Sequence, residues 1–333
     1  MKEILKEQGG RELNATQEMQ EFMSSRMKAI LLYDDGYNCL QIARKLSLSV
    51  ESINQYITDY MKLRSQVSFQ VTSKKHYQAH VTAIIYDGAQ IGSGSIIGPY
   101  SVIGPKVVIG ENNIISPHVV IDGKTQIGSG NKIYQFASIG SVPQDQKWQG
   151  HDTCLQIGDN NQIREYVTIQ PATSPDGLTQ IGNNNLFMAC SHIAHDVRVG
   201  NNCWFANSAC IAGHATVGNN VVFGGMSGVH QNVVIGDLSM IAAGSMVAQD
   251  VPPFANVQGD RARLFGINKV GLQRAGYAAQ DVSKIHNIFR KLFYHHGIME
   301  QKLVSIEGSY PDCALTDKIC SFIRSSVRGV CRY

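Results

Sequence analysis

The chain has 333 residues, 43% of them hydrophobic, and 29 Lys and Arg against 26 Asp and Glu leave a formal charge of +3. That length allows more than one domain, and so small a charge by itself points to no strongly charged partner. No apolar run is long enough to span a bilayer, and Met1 to Gly10 is charged and polar, so neither a membrane segment nor a signal peptide is expected. The eight cysteines (Cys39, Cys154, Cys190, Cys203, Cys210, Cys313, Cys320, Cys331) form no C-x-x-C pair and no even framework, and read as reduced thiols of a cytoplasmic protein.

Residues 1–66 read as a helical module. Met19, Phe22, Met23, Met27, Ile30 and Leu31 follow helical spacing up to Asp34-Asp35-Gly36. A short helix is expected over Leu40 to Leu46, and a third after Ser49, a good N-cap, carrying Ile53, Tyr56, Ile57 and Tyr60. This order resembles a helix-turn-helix. Glu51, Asn54, Gln55 and Asp59 on the last helix, flanked only by Arg44, Lys45, Lys62 and Arg64, make a thin phosphate footprint. DNA binding therefore stands beside a helical adapter that docks on the enzyme or drives assembly, with the adapter favoured. A polar connector, 67–80, follows.

From Ile85 every sixth residue is isoleucine as far as Ile139, and the period returns at Ile157, Ile163 and Ile169 and again from Ile181 to Val247. Four residues after each lies a weaker track of small or β-branched residues such as Ala89, Ser95, Ser101, Val107 and Thr125. A period of six is neither helical nor alternating, so the unit is a short strand plus a turn, with glycines such as Gly92 and Gly98 relieving the turn backbone. Three hexads close one triangular coil of a parallel β-helix over residues 81–250. Some eight coils stacked at about 4.8 Å give a prism roughly 40 Å long. Residues 140–156 and 170–180 interrupt the pattern and are expected to leave the prism as loops. After Val251-Pro252-Pro253 the hexads stop, and residues 251–333 read as a helical C-terminal domain, with helices over 267–275, Gln280 to His296, 299–306 and 315–328.

Counting hexads converts position into direction. From the inward Ile193, His195 and Asp196 fall two and three places later, and neither they nor His192, His214 and His230 face the core. Residues eighteen apart stack, so His195, Gly213 and Gln231 form one column and Asp196, His214 and Asn232 the next. An imidazole beside a carboxylate is the usual general base, since the carboxylate holds the tautomer. The Gly213 N–H is open to a developing oxyanion. Zinc is the competing use of such histidines, although Gln231, Asn232 and Val233 after His230 offer no close histidine pair.

Ile133 to Gly140, Gln144-Asp145, Ile193-Ala194-His195-Asp196, Ala212-Gly213-His214, Gly224-Gly225-Met226, Val229-His230-Gln231 and Ala248 to Pro253 resemble the acyl-[acyl-carrier-protein]:UDP-N-acetylglucosamine O-acyltransferases of lipid A biosynthesis, over roughly residues 78 to 330. The resemblance implies a mainly β fold, a left-handed parallel β-helix, assembled as a homotrimer with sites between subunits. It implies transfer of a 3-hydroxyacyl chain from acyl carrier protein to the 3-hydroxyl of UDP-N-acetylglucosamine, without metal or other cofactor. By motif, His195 resembles the general base, Asp196 its orienting partner and Gly213 the oxyanion donor. His192, His214, His230 and Gln231 would line the sugar and acyl groove. Asp145 and Lys147 would hold the sugar nucleotide from the neighbouring subunit, and Asn268 and Arg274 would meet nucleotide and phosphopantetheine. Ala243 matches the position that limits acyl length. Relatives often carry an acid at Val270 and a second arginine at Ala275, and the N-terminal module has no counterpart in the basic family pattern. Two other readings stay open on this scaffold: an acyl- or acetyl-CoA-dependent N-acyltransferase of an amino sugar, and a non-catalytic DNA-binding regulator.

Overall fold

The six-residue period is realised mostly as a two-residue strand and a four-residue turn. In the computed structural model, which describes residues 25–34, 36–66 and 76–333, the strands stack into sheets of 11, 9 and 8 strands, the three faces of a β-helix. Pairing within each face is parallel along the helix and joins residues 18 apart, as Val102 to Val120. The offset rises to 30 across the first loop, Ser138 to Thr168, and to 24 across the second, Thr168 to His192. Both interruptions therefore leave the prism between coils without disturbing which side chains stack.

Inward residues such as Ile97, Ile103, Ile133, Ile163 and Ile193 are wholly buried. On one face the inward position becomes Phe187, Phe205 and Phe223, whose rings stack at 4.7 Å between centroids, the strand spacing itself. The second inward track is more polar than its description as small or β-branched. Asn113, Asn131, Asn161 and Asn185 are buried on it. Asn131 Nδ2 donates to Asn113 Oδ1 and Asn161 Nδ2 to Asn131 Oδ1, each at 3.0 Å, so the ladder satisfies its own amides.

Most of the glycines after the inward residues serve a different purpose from the one expected, Gly140 with its φ of 76° being an exception. Gly92 and Gly200 do not have positive φ. A Cβ on Gly92 would lie 2.5 Å from the Gly110 carbonyl carbon, and one on Gly200 would lie 2.7 Å from the Gly218 oxygen. Close stacking of coils, not turn strain, requires glycine there. The left-handed conformation falls elsewhere in the turns, and between two faces it is taken by Asp196, His214 and Asn232 with φ of 61°, 61° and 62°.

Strand pairing runs beyond Pro253. Ala255–Gln258 adds in parallel to Met240–Ile241, then Arg263–Ile267 returns antiparallel as a hairpin. The helix expected over 267–275 is shorter, Lys269–Arg274, because residues to Ile267 belong to that hairpin. Ala279–Phe289 is α-helical and continues as a π turn over Arg290–Tyr294, followed by helices Met299–Ser309 and Ala314–Ser325. Leu272, Ile285, Ile288, Phe289, Leu303, Ile306 and Ile319 share one buried core with the prism's isoleucines.

The chain divides into two compact units, Met1–Gln70 and Val71–Tyr333. In the first, helices Ser25–Asp34, Cys39–Leu46 and Val50–Gln66 bury Ala29, Ile42, Ala43, Ile53 and Ile57 against one another. Asn38 and Gln41 form a reciprocal capping box, and Ser49 Oγ accepts from the Ser52 N–H at 3.1 Å, the cap expected of it. Met19, Phe22 and Met23, the side chains of Met27, Leu31, Tyr60, Lys62 and Arg64, and connector residues 67–75 lie outside the described residues. Among the described residues no helix is long and apolar enough to cross a membrane.

Candidate functional site

The 18-residue register sets the two polar columns side by side. The His214 N–H donates to the His195 carbonyl and the Asn232 N–H to the Gly213 carbonyl, both at 3.1 Å. His195 Nδ1 lies 2.9 Å from Asp196 Oδ2. The carboxylate accepts there, so the proton sits on Nδ1 and leaves Nε2 as the basic nitrogen. Asp196 is held in turn by Thr173, whose hydroxyl and backbone N–H donate to Oδ2 at 2.8 and 3.0 Å, while the Asp196 N–H donates to Thr179 Oγ1 at 2.7 Å. Burial pushes the Asp196 carboxyl up, but the hydrogen bonds from His195 and Thr173 and the nearby His214 outweigh it and hold the group below its ordinary value.

His195 does not face the prism core, yet it is only 5% exposed. The two loops and the next coil cover it. Asp145 Oδ2 reaches to 3.6 Å of Nε2, Thr173 Oγ1 to 3.5 Å of Nδ1, and a Cβ on Gly213 would sit 2.4 Å from Cε1. The Asp145 contact is made within one chain. Among the described residues no group accepts the Gly213 N–H, and the glycine lines the same cavity as His195. His192 Nδ1 lies 2.6 Å from Thr168 Oγ1. Burial, with the neighbouring His195, pushes the His192 imidazole down, so it is neutral at pH 7.

A cavity of about 510 Å³ joins these groups, lined at one end by Gln144, Gln170, His192 and His195, and at the other by Gly228, Val229 and Met246. Gly213, His230 and Gln231 also line it. Other residues named from the sequence lie off it. Lys147 is exposed and only its backbone N–H engages Asp145, at 2.9 Å. Arg274 is exposed in the last turn of its helix. Asn268 uses its side chain to cap that helix and to donate to the Leu238 carbonyl at 2.8 Å. Ala243 is exposed on a turn and does not line the cavity. Thr168, Thr173 and Thr179 escaped the sequence reading. Thr168 was reachable, because it stacks on His192 once the second loop's extra residues are discounted.

His195, Asp196 and His214 offer ligand atoms within 4.8 Å of one another. The shared Oδ2 already accepts from His195 Nδ1 and twice from Thr173, which is the geometry of an oriented imidazole rather than of three donors converging on an ion.

A family profile described as "Udp N-acetylglucosamine O-acyltransferase; Domain 2" matches residues 250–331, and one described as "Bacterial transferase hexapeptide (six repeats)" matches residues 88–123. The acyl-[acyl-carrier-protein]–UDP-N-acetylglucosamine O-acyltransferase of Myxococcus xanthus is 43% identical over 211 residues, covering 63% of this chain and 82% of that protein. The crystal structure of UDP-N-acetylglucosamine O-acyltransferase from Moraxella catarrhalis superposes with a TM-score of 0.72 at 40% identity, covering 76% of this chain and 99% of that one. That of Francisella novicida UDP-N-acetylglucosamine acyltransferase does so with a TM-score of 0.74 at 34% identity, covering 77% and 94%. The fold is a left-handed parallel β-helix of hexapeptide repeats with C-terminal helices.

Proposed function

The chain belongs to the family of acyl-[acyl-carrier-protein]–UDP-N-acetylglucosamine O-acyltransferases, and on that premise we propose that it moves a 3-hydroxyacyl chain from acyl carrier protein to the 3-hydroxyl of UDP-N-acetylglucosamine, the first step of lipid A biosynthesis. The observation that carries the mechanism is the His195–Asp196 pair beside the unengaged N–H of Gly213. Nε2 of His195 takes the proton of the sugar 3-hydroxyl as its oxygen attacks the thioester carbonyl carbon. The Gly213 N–H donates to the oxyanion of the tetrahedral intermediate. The C–S bond then breaks, and the thiolate leaves with the proton held on Nε2. Asp196, fixed by Thr173, keeps Nδ1 protonated and balances the imidazolium. Neutral His192, with His230, Gln231 and Asp145, positions the sugar and acyl groups. The thioester supplies the driving force, and no metal or other cofactor enters the scheme.

The test is acyl transfer to UDP-N-acetylglucosamine from 3-hydroxyacyl carrier proteins, with the corresponding acyl-CoA and an amino-sugar acceptor as parallel arms. Turnover only with CoA, or only on the amine, would replace this reading with the N-acyltransferase.

We also assign the chain to a cytoplasmic homotrimer. Eight free cysteines suit a reducing compartment. Assembly is supported by the resemblance, which places Asn268, Arg274 and Ala243 at sites between subunits, whereas within one chain they lie off the cavity around His195. It is supported too by a stacked surface column of Tyr100, His118, Phe136 and Tyr166, with ring centroids 5.1 to 5.2 Å apart. Sedimentation is expected to give a trimer, and an active monomer would overturn the assignment. For the N-terminal unit the adapter reading is the one proposed. Deleting residues 1–66 is expected to leave kcat for acyl transfer within about twofold, because no residue of the mechanism lies in it. Salt-sensitive, sequence-specific DNA binding by the full chain, lost on deletion, would show the unit to be a DNA reader.

A further inference from the structure

Resting on the acyltransferase reading, we propose that Thr168 is a positioning residue that holds His192 in its Nε2–H tautomer, so that this imidazole, unlike that of His195, donates a hydrogen bond to the sugar acceptor. Strand Thr168–Ile169 pairs in parallel with His192–Ile193. Ile169 and Ile193 are wholly buried, so the residue before each points outward, and the two outward side chains meet. Thr168 Oγ1 lies 2.6 Å from His192 Nδ1. Burial, with the neighbouring His195, keeps the His192 ring neutral, and a neutral imidazole has one nitrogen that donates and one that accepts. Either the threonine hydroxyl donates to Nδ1, or Nδ1–H donates to the hydroxyl. In the second case the Thr168 O–H needs another acceptor, and among the described residues its oxygen has no hydrogen-bond partner besides His192.

The neighbours in the same outward column leave the pair alone. Ser138, which stacks on Thr168 from the preceding coil, has its hydroxyl 2.8 Å from Ser141 Oγ, and Cys210, which stacks on His192 from the following one, turns its thiol to the Ser208 carbonyl at 3.6 Å. The hydroxyl therefore donates to Nδ1, and the His192 proton sits on Nε2. His195 is fixed the other way round, because the group at its Nδ1 is the Asp196 carboxylate, which can only accept. Two imidazoles three residues apart thus carry opposite tautomers, one a base and one a donor. Gln170 adds to the donor character of this end of the cavity. It is 5% exposed and its Oε1 accepts the Gln144 N–H at 3.2 Å, which leaves its amide nitrogen for the cavity. A sugar nucleotide brings hydroxyl, acetamido and phosphate oxygens to meet such donors, whereas a second bare nitrogen there would compete with His195 for the hydroxyl proton.

The experiment records solid-state NMR spectra of the full-length chain labelled at the histidine ring nitrogens, with the His192 signals assigned by their loss in His192→Gln. Alongside, kcat and the KM for each substrate are measured for the parent, Thr168→Val, Thr168→Ala and Thr168→Ser, with thermal unfolding as the check on folding. The parent is expected to show a bare Nδ1 and a protonated Nε2 at His192, and Thr168→Val to lose that preference. In Thr168→Val the KM for UDP-N-acetylglucosamine is expected to rise about three- to tenfold, the worth of one neutral hydrogen bond, while kcat and the KM for the carrier protein stay within about twofold, because the contact holds substrate and transition state alike. Thr168→Ser, which restores the hydroxyl, is expected to restore both the spectrum and the KM. Thr168→Ala is expected to follow valine and carries the test if the valine variant does not fold. A protonated Nδ1 in the parent would overturn the proposal, as would an unchanged sugar-nucleotide KM in both the valine and alanine variants, or a rise confined to the carrier protein. A parent that transfers no acyl group would instead sink the acyltransferase reading, and the spectrum, which needs no turnover, would still decide the tautomer.

Discussion

His195→Ala is expected to lower kcat by about 10²- to 10⁴-fold, the usual worth of a positioned base, with the β-helix intact. The imidazole is the group whose free nitrogen opens onto the cavity while its other nitrogen is held by Asp196. Its burial adds a second effect, because the substitution strips one donor from the Asp196 carboxylate and leaves those of Thr173. Loss of one such bond costs about 1 to 3 kcal/mol, so the melting temperature should fall by a few degrees while the fold persists. His195→Gln separates the two effects, since its amide refills space and donates to Asp196 but has no basic nitrogen. Near-parental kcat in a folded variant of either kind would remove His195 from the mechanism.

Gly213→Ala is expected to cost about 10²- to 10³-fold in kcat/KM, the magnitude associated with losing an oxyanion donor. The new methyl would stand 2.4 Å from His195 Cε1 and 2.6 Å from Nε2. The ring can relieve that overlap only by swinging away from Asp196 or towards the substrate, so one methyl disturbs the base and the N–H together. Gly225→Ala is the matched control, with nothing closer to its Cβ than an oxygen at 3.4 Å, and it should retain parental activity. Equal activity in the two alanine variants would mean that neither the His195 ring position nor the space at the Gly213 N–H limits the reaction.

The fold and the alignment of the site columns were legible because the pairing register is written in the period. A coil of 18 residues has no freedom to place Gly213 anywhere but beside His195, or His214 anywhere but beside Asp196, and direction followed from counting places after Ile193. The Asn113–Asn131–Asn161 ladder was hidden for a related reason. A buried amide looks unfavourable in isolation, and it becomes favourable only when the next coil brings an identical amide within 3.0 Å. The glycines after the inward residues were visible, but their reason was not, because the clash they avoid is with a backbone one coil away.

What the tertiary structure alone decided lies where the period lapses. Residues in the two loops carry no register, so nothing in the sequence placed Asp145 within 3.6 Å of Nε2 or Thr173 on Asp196. Those contacts bury His195 and hold in place the Asp196 carboxylate that selects its tautomer. The hexads stop at Pro253, yet Ala255–Gln258 pairs on and Arg263–Ile267 pairs back against it, because an edge strand left with unpaired backbone groups accepts an extended segment that covers it. Repetition determined the scaffold and its columns of side chains. The cover over the histidine and the strands beyond Pro253 were set by segments whose positions depend on what they fold against.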